Sequence, residues 1–391
     1  MDEIISKQIK EMADMQFHCS CGKCHKIEIK HIYVGEGVYT KIVDIAKEIV
    51  PKKILIISDN NTYNVLGKTV EDKLKGESFK IKNIVLSSQE DLLPDERAIG
   101  RVLVEVDEDT ELLIAVGSGS INDIARIISA KTKIPYVIMG TAPSMDGYAS
   151  TVSPLIIDNK KVTYPGIHPY AIIADSNIMK EAPFEMICAG FGDILGKYTA
   201  LSDWMLSHKV NNEYFCHTTE KLVRDAMNKC FENIEGAINR DAKAIEYIAE
   251  ALILSGIAMT LSENSRPASG AEHHLSHYWE VDKLSRNLEH PLHGNSVGVG
   301  TIVSAWIYKE LNIEEKYGIK VPTPNEIIEI LNSIGAKSSP KTLGIEKELF
   351  HRSVIHALEI RPRYTILQYA KNENKLDEYA EKLTNLFYGE E

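Results

Sequence analysis

Residues 270–298 carry the densest chemistry in the chain. They begin Gly-Ala-Glu-His-His-Leu-Ser-His-Tyr-Trp-Glu, end His-Pro-Leu-His-Gly-Asn-Ser-Val-Gly, and hold five of the 13 histidines: His273, His274, His277, His290 and His293. Upstream lies Gly-Phe-Gly-Asp-Ile-Leu-Gly, with Asp193 at its centre. One carboxylate and two imidazoles from separate segments make a three-ligand set for a catalytic divalent metal that keeps open positions. Such an ion polarises a substrate oxygen as a Lewis acid. The separations, 80 residues from 193 to 273 and 20 from 273 to 293, match no short zinc motif, so local context has to carry the reading. Asp193 sits in a helical pattern among Gly190, Gly192 and Gly196, where another backbone or a ligand can approach. A carboxylate there needs a partner, because burying it alone is costly; a metal is one solution and a buried Lys or Arg the other. His273 and His277, four apart, share a helix face, with Ser269 as the expected N-cap. His293 precedes Gly294 and a small-residue run, Gly298-Val299-Gly300-Thr301, that suits a closely packed helix. His274 falls off the face of His273, and His290 is expected to order the turn at Pro291.

These residues need elements to position them. Lys53–Ser58, Lys80–Leu86, Leu112–Val116, Tyr136–Met139 and Ala171–Ala174 read as strands, and 65–75, 95–106 and 121–130 as helices between them. Nearly continuous apolar strands alternating with helices predict a parallel sheet covered on both faces. A hairpin is expected around Asp158-Asn159. Beyond about Met179 long amphipathic patterns take over (184–208, 220–235, 242–262) and strand signals become scarce. The charged stretch 371–382 reads as a solvated helix face. The expected architecture is α/β plus all-α: a Rossmann-like parallel-sheet domain over 1–178 and a helical domain over 179–391.

A glycine-rich turn, Gly117-Ser118-Gly119-Ser120-Ile121, follows a strand and opens a helix. Glycine lets the backbone approach a phosphate, and the helix start offers free N–H groups and a positive dipole end. The third glycine of Gly-x-Gly-x-x-Gly is missing, since Asn122 stands there, and a plain strand-to-helix turn competes with the nucleotide reading. Thr141-Ala142-Pro143-Ser144 is a second small-residue loop after the next strand, and ligands bind beyond the carboxyl ends of parallel strands. Asp59 ends an earlier strand, where it could accept from an adenosine ribose or simply cap a helix.

Composition narrows the function. A net charge of −12 argues against general nucleic-acid binding, which needs a basic face. No apolar run is seen that approaches the roughly 18 residues of a membrane span, and no secretory signal opens the chain, so a cytoplasmic enzyme is expected. Three of the six cysteines lie in Cys19-Ser-Cys21-Gly-Lys-Cys24-His25. A small zinc site on Cys19, Cys21, Cys24 and His25 or His18 is one reading; with no second cysteine pair at ribbon spacing, a reduced-thiol turn before the first strand is favoured.

Taken together, Gly-Ser-Gly-Ser-Ile-Asn-Asp (117–123), Thr-Ala-Pro-Ser-Met-Asp-Gly-Tyr-Ala-Ser (141–150), Gly-Phe-Gly-Asp (190–193), Arg-Pro-Ala-Ser-Gly-Ala-Glu-His (266–273) and Leu-His-Gly (292–294) resemble the glycerol-1-phosphate dehydrogenases. These share a superfamily with glycerol dehydrogenase, iron-dependent alcohol dehydrogenases and dehydroquinate synthase. The resemblance implies metal ligands Asp193, His273 and His293; a cofactor, NAD or NADP, on Gly117, Ser118, Gly119, Ser120 and Ile121 with Thr141, Ala142, Pro143, Ser144 and Ser150; and substrate contacts from Asp146 and His277. It implies reversible reduction of dihydroxyacetone phosphate to sn-glycerol 1-phosphate, with zinc or nickel, iron being a third option, in a homodimer. A small phosphorylated substrate needs a cation, and Arg266 before the Ser269 helix start is the expected partner, with a surface salt bridge as its competing role. His277 is expected in the proton relay. Unphosphorylated glycerol dehydrogenase, a dehydroquinate synthase-like lyase and a non-catalytic nucleotide-binding relative are the rival readings.

Overall fold

The structure is a computed structural model that describes residues 2–87 and 92–389. Its centre is a six-stranded sheet of β3 (His31–Gly35), β4 (Lys53–Asp59), β5 (Ile81–Leu86), β6 (Thr110–Gly117), β7 (Tyr136–Gly140) and β10 (Ala171–Asp175), in spatial order β3-β10-β7-β6-β4-β5. Every pairing in it is parallel. The inner strands are apolar on both faces: β7 and β10 are buried along their whole length. Helices α1 (Lys41–Ile49), α2 (Lys68–Gly76), α3 (Glu96–Leu103) and α4 (Gly119–Thr132) link the strands. The chain steps outward from β4 to β5 and then returns to β6 on the other side of β4. The strand order therefore reverses between β4 and β6, where open α/β sheets form their ligand crevice.

β3 is the sheet strand the sequence reading missed. It lies at the edge beside β10, and three of its five residues are only partly covered, so the continuous apolar signature of a central strand is absent. The expected hairpin is present as β8 (Val152–Ile157) and β9 (Lys160–Pro165), closed by Asp158 and Asn159, both at positive φ (50° and 57°). Two such residues in a two-residue turn match the twist of the strands.

After a short helix at Ser176–Met179 the described chain is helical: α5 (Phe184–Asn211), α6 (His217–Phe231), α7 (Ala242–Ser262), α8 (Ala271–Ser285), α9 (His293–Glu310), then smaller helices to Leu376–Tyr388. Two expectations change here. Helix α7 is long and apolar enough by composition to cross a membrane, and two-thirds of that stretch (67%) is buried against the rest of the chain. The charged C-terminal helix is solvated on one side only; Leu376, Tyr379, Ala380 and Leu383 are buried. The N-terminal segment also departs from the simple two-part division: β1 (Gln16–His18) and β2 (Cys24–Lys26) form a separate antiparallel hairpin, and its Cys19 lies against Cys216 at the start of α6.

Candidate metal and dinucleotide site

Helix α5 is the spine of the site, and its glycines set how close its neighbours come. A Cβ at Gly192 would stand 2.4 Å from the Gly294 carbonyl oxygen of α9, and one at Gly190 1.7 Å from that of Pro143. Any side chain there would drive α5 away from α9 and from the loop after β7. With them absent, Asp193 arrives fully buried beside His273 of α8 and His293 of α9, and one ligand atom from each lies within 4.8 Å of the others.

Asp193 Oδ1 accepts from Lys197 Nζ at 2.7 Å, and Oδ2 accepts the Asp146 N–H at 3.0 Å. Lys197, one turn on, also donates to Asp146 Oδ2 (2.7 Å) and the Ala268 carbonyl (3.1 Å). Of the two partners considered for Asp193, a metal or a buried lysine, the lysine is the one in contact with it. Burial would raise the Asp193 pKa, but Lys197 and the two histidines outweigh it and hold the group well below the usual carboxylate range. It is an anion at neutral pH.

His273 is braced from behind. Its Nδ1 lies 2.8 Å from Glu272 Oε1, leaving Nε2 toward Asp193 at 3.6 Å. Glu272 is itself buried and accepts from Thr199 Oγ1 (2.6 Å) and the Gly270 N–H (2.5 Å). A carboxylate behind a ligating histidine fixes its tautomer and raises its basicity. Burial lowers the His273 pKa, but the bonds to Asp193 and Glu272 overcome it and the net shift is upward. His293 Nδ1 is buried without a hydrogen-bond partner among the described residues, and burial brings its pKa down to about 4. It is a neutral imidazole with donor capacity to spare. An anionic oxygen and two imidazole nitrogens converging in a buried space fit a divalent ion.

His277 lies one turn after His273, its ring centroid 5.3 Å from that of His293. Its Nδ1 lies 3.4 Å from Glu280 Oε2 and 3.5 Å from Lys161 Nζ. Lys161 reaches in from the β8–β9 hairpin and pairs with Glu280 at 2.5 Å. Burial, with Lys161 beside it, holds His277 neutral, its pKa well below the usual histidine value. His277, Glu280 and His293 could also gather a cation, but Glu280 already has Lys161 as counter-ion.

The glycine-rich turn joins β6 to α4, with Ser118 at the N-cap and making no side-chain cap bond. A Cβ on Gly119 would meet only Met145, at 3.6 Å, so this face of the backbone is open to a ligand. Thr141–Ser144 lies alongside: the Thr141 N–H reaches the Gly117 carbonyl (3.1 Å), and Ser118 Oγ and Ser144 Oγ are 2.7 Å apart. Asn122 is buried and donates to the Gly147 carbonyl at 3.0 Å, tying α4 to the segment that presents Asp146. That is its use where a third glycine would stand.

Several expected residues are otherwise engaged. Arg266 is buried and gives its guanidinium to Glu213 (Nε–Oε1 2.8 Å, Nη2–Oε2 2.5 Å) and the Tyr364 carbonyl (2.6 Å); its donors are spent on an ion pair that is buried rather than on the surface. Ser269 is not the cap of α8; Gly270 is. Asp59 caps the Asn60–Thr62 turn, accepting the Thr62 N–H at 2.8 Å. The Ser150 hydroxyl is taken up in a turn with Val152. His290 Nδ1 lies 3.2 Å from the Pro291 carbonyl. Lys197, Glu272 and Lys161 were missed, because single charged residues in helices and hairpins usually face water.

Comparison with known proteins places this geometry. Residues 33–183 match the iron-containing alcohol dehydrogenase family. The glycerol-1-phosphate dehydrogenase [NAD(P)+] of Geobacillus thermodenitrificans is 34% identical, over 96% of this chain and 100% of its own length. That of Halalkalibacterium halodurans is also 34% identical, over 94% and 98%. The chain belongs to the glycerol-1-phosphate dehydrogenase family. The crystal structure of glycerol dehydrogenase from Schizosaccharomyces pombe superposes with a TM-score of 0.68 over 92% of both chains at 19% identity, so the family member shares that fold across the parallel sheet and the helical region alike.

Proposed function

We propose that the protein reduces dihydroxyacetone phosphate reversibly to sn-glycerol 1-phosphate with NADH or NADPH; its relatives are named glycerol-1-phosphate dehydrogenase [NAD(P)+]. The convergence of Asp193, His273 and His293 within 4.8 Å, facing His277 and Lys161, carries the reading. Those three ligands would hold a divalent ion, zinc, nickel or iron, whose chemistry is to polarise the substrate's carbonyl oxygen. The Gly117–Ile121 turn, open at Gly119, and the Thr141–Ser144 loop would receive the dinucleotide, its phosphates on the start of α4. Lys197 and Asp146 hold the Asp193 carboxylate in place. His277, neutral and partly exposed, is set to exchange a proton with the substrate's C2 oxygen.

Lys161 replaces Arg266 as the residue proposed to meet the substrate phosphate. It is a cation beside the histidine cluster, and the carboxylate it pairs with, Glu280, also lies within reach of His277. The unphosphorylated reading, glycerol dehydrogenase, would give Lys161 no role beyond its pairing with Glu280. The test strips the protein of metal, restores zinc or nickel, and follows NADH and NADPH oxidation with dihydroxyacetone phosphate and with dihydroxyacetone. Metal-dependent turnover of the phosphorylated ketone, giving the sn-1 product, is expected. Turnover of dihydroxyacetone alone would overturn the reading, as would turnover that ignores metal.

A further inference from the structure

The N-terminal cysteine segment has no part in the site above, and the structure brings it a ligand from 197 residues away. Cys19 and Cys21 lie in the turn of the β1–β2 hairpin, His25 lies on β2, and Cys216 is the N-cap of α6. One ligand atom from each of the four lies within 4.8 Å of all the others. Cys24, which the sequence suggested, is exposed and bonds to Gln16 instead. We propose that Cys19, Cys21, His25 and Cys216 form a structural zinc site that clips the N-terminal hairpin to the helical half of the protein.

The geometry supports a tetrahedron. With bonds of about 2.3 Å to sulfur and about 2.0–2.1 Å to nitrogen, the edges come to about 3.8 Å between sulfurs and about 3.6 Å from sulfur to nitrogen. Cys19 Sγ and Cys216 Sγ are 3.6 Å apart, and His25 Nε2 lies 3.3 Å from Cys21 Sγ and 3.8 Å from Cys216 Sγ. A disulfide needs about 2.05 Å between sulfurs, and the cysteines are free. Donors reach three of the sulfurs, while Cys19 Sγ itself donates to Asp2 Oδ2 at 3.4 Å. Cys216 Sγ accepts the Thr219 N–H at the start of α6 (3.4 Å), Cys19 Sγ accepts the Cys21 N–H (3.5 Å), and Tyr214 Oη lies 3.2 Å from Cys21 Sγ. Donors around a metal-bound sulfur orient and stabilise it. Cys19, His25 and Cys216 are buried, and four protein ligands leave no open position, which marks a structural rather than a catalytic centre.

Cobalt distinguishes the two metal sites, because only a thiolate site gives an intense sulfur-to-cobalt charge-transfer band in the near ultraviolet. The full-length protein is prepared in reductant, stripped, and titrated with cobalt, and zinc content is measured in parallel. The wild type is expected to show the thiolate band and to bind one thiolate-held ion per chain. Asp193→Asn should keep the band and that ion; Cys216→Ser should lose both; Cys24→Ser should keep both. A wild-type protein without the band would overturn the proposal whatever the variants do. So would a band lost with Asp193→Asn but kept in Cys216→Ser, or a Cys19–Cys216 disulfide found by mass spectrometry in the reduced preparation.

Discussion

Replacing Glu272 with glutamine tests whether the carboxylate behind His273 tunes the metal or only fills space. Glu272 accepts three hydrogen bonds, from Gly270 N–H, Thr199 Oγ1 and His273 Nδ1. A glutamine with its carbonyl at the Oε1 position keeps the first and the last. Its amide group then faces Thr199, whose hydroxyl can turn to the Gly196 carbonyl at 3.3 Å. Shape and most hydrogen bonds survive, and what is lost is one buried negative charge against the imidazole. Loss of such a partner costs about 10–100-fold in metal affinity or activity, or about 1.4–2.7 kcal/mol. The assay is competition of apoprotein against a chromophoric chelator, with circular dichroism to verify the fold. A folded Glu272→Gln protein with wild-type zinc affinity would refute the reasoning and reduce Glu272 to a packing residue.

Three further outcomes follow from the same geometry. Lys161→Ala should cut kcat/KM for dihydroxyacetone phosphate by about 1.5–3 kcal/mol, the worth of a hydrogen bond to a charged group, and leave dihydroxyacetone almost untouched; steady-state kinetics showing equal losses on both ketones would sink the phosphate role. Arg266→Ala should leave KM alone and lower stability in urea by about 2–3 kcal/mol, less than the 3–5 of a fully buried pair because Glu213 keeps 32% of its exposure. The raised pKa of His273 means its imidazolium persists to higher pH in the metal-free protein, so a proton must leave as the ion binds. Zinc affinity should therefore fall as pH drops through the His273 range, and calorimetry in buffers of different ionisation enthalpy should detect the released proton.

The sequence showed the sheet well because its inner strands are apolar on both faces; β4, β6, β7 and β10 all lie within two residues of the expected runs. β3 was not visible because a half-covered edge strand lacks that continuity. At the site, the histidines stood out because so many lie in one segment, and Asp193 because glycines surround it. Its partner Lys197 carried no such mark: an i,i+4 acid–lysine pair is ordinary on a solvated helix, and only the close approach of α9 turns this one inward. Arg266 misled for the converse reason. Its neighbours suggested a ligand, while Glu213, 53 residues away, takes its charge. Cys216 was out of reach for the same cause, since long-range pairing leaves no local pattern.

The charges of the site explain why a metal and a lysine can share Asp193. Four carboxylates converge on it: Asp146, Asp193, Glu272 and Glu280, with side chains no more than 15% exposed. Two ammonium groups, Lys197 and Lys161, answer them. With neutral histidines these six groups carry an excess of two negative charges, and burying that excess is costly. A divalent cation is the complement of these six groups. A phosphorylated substrate then brings about two further negative charges into a site already balanced. That favours a cation that can change partners, and Lys161, carried on a hairpin and paired with a single carboxylate, is placed to do so where Lys197, held between two, is not.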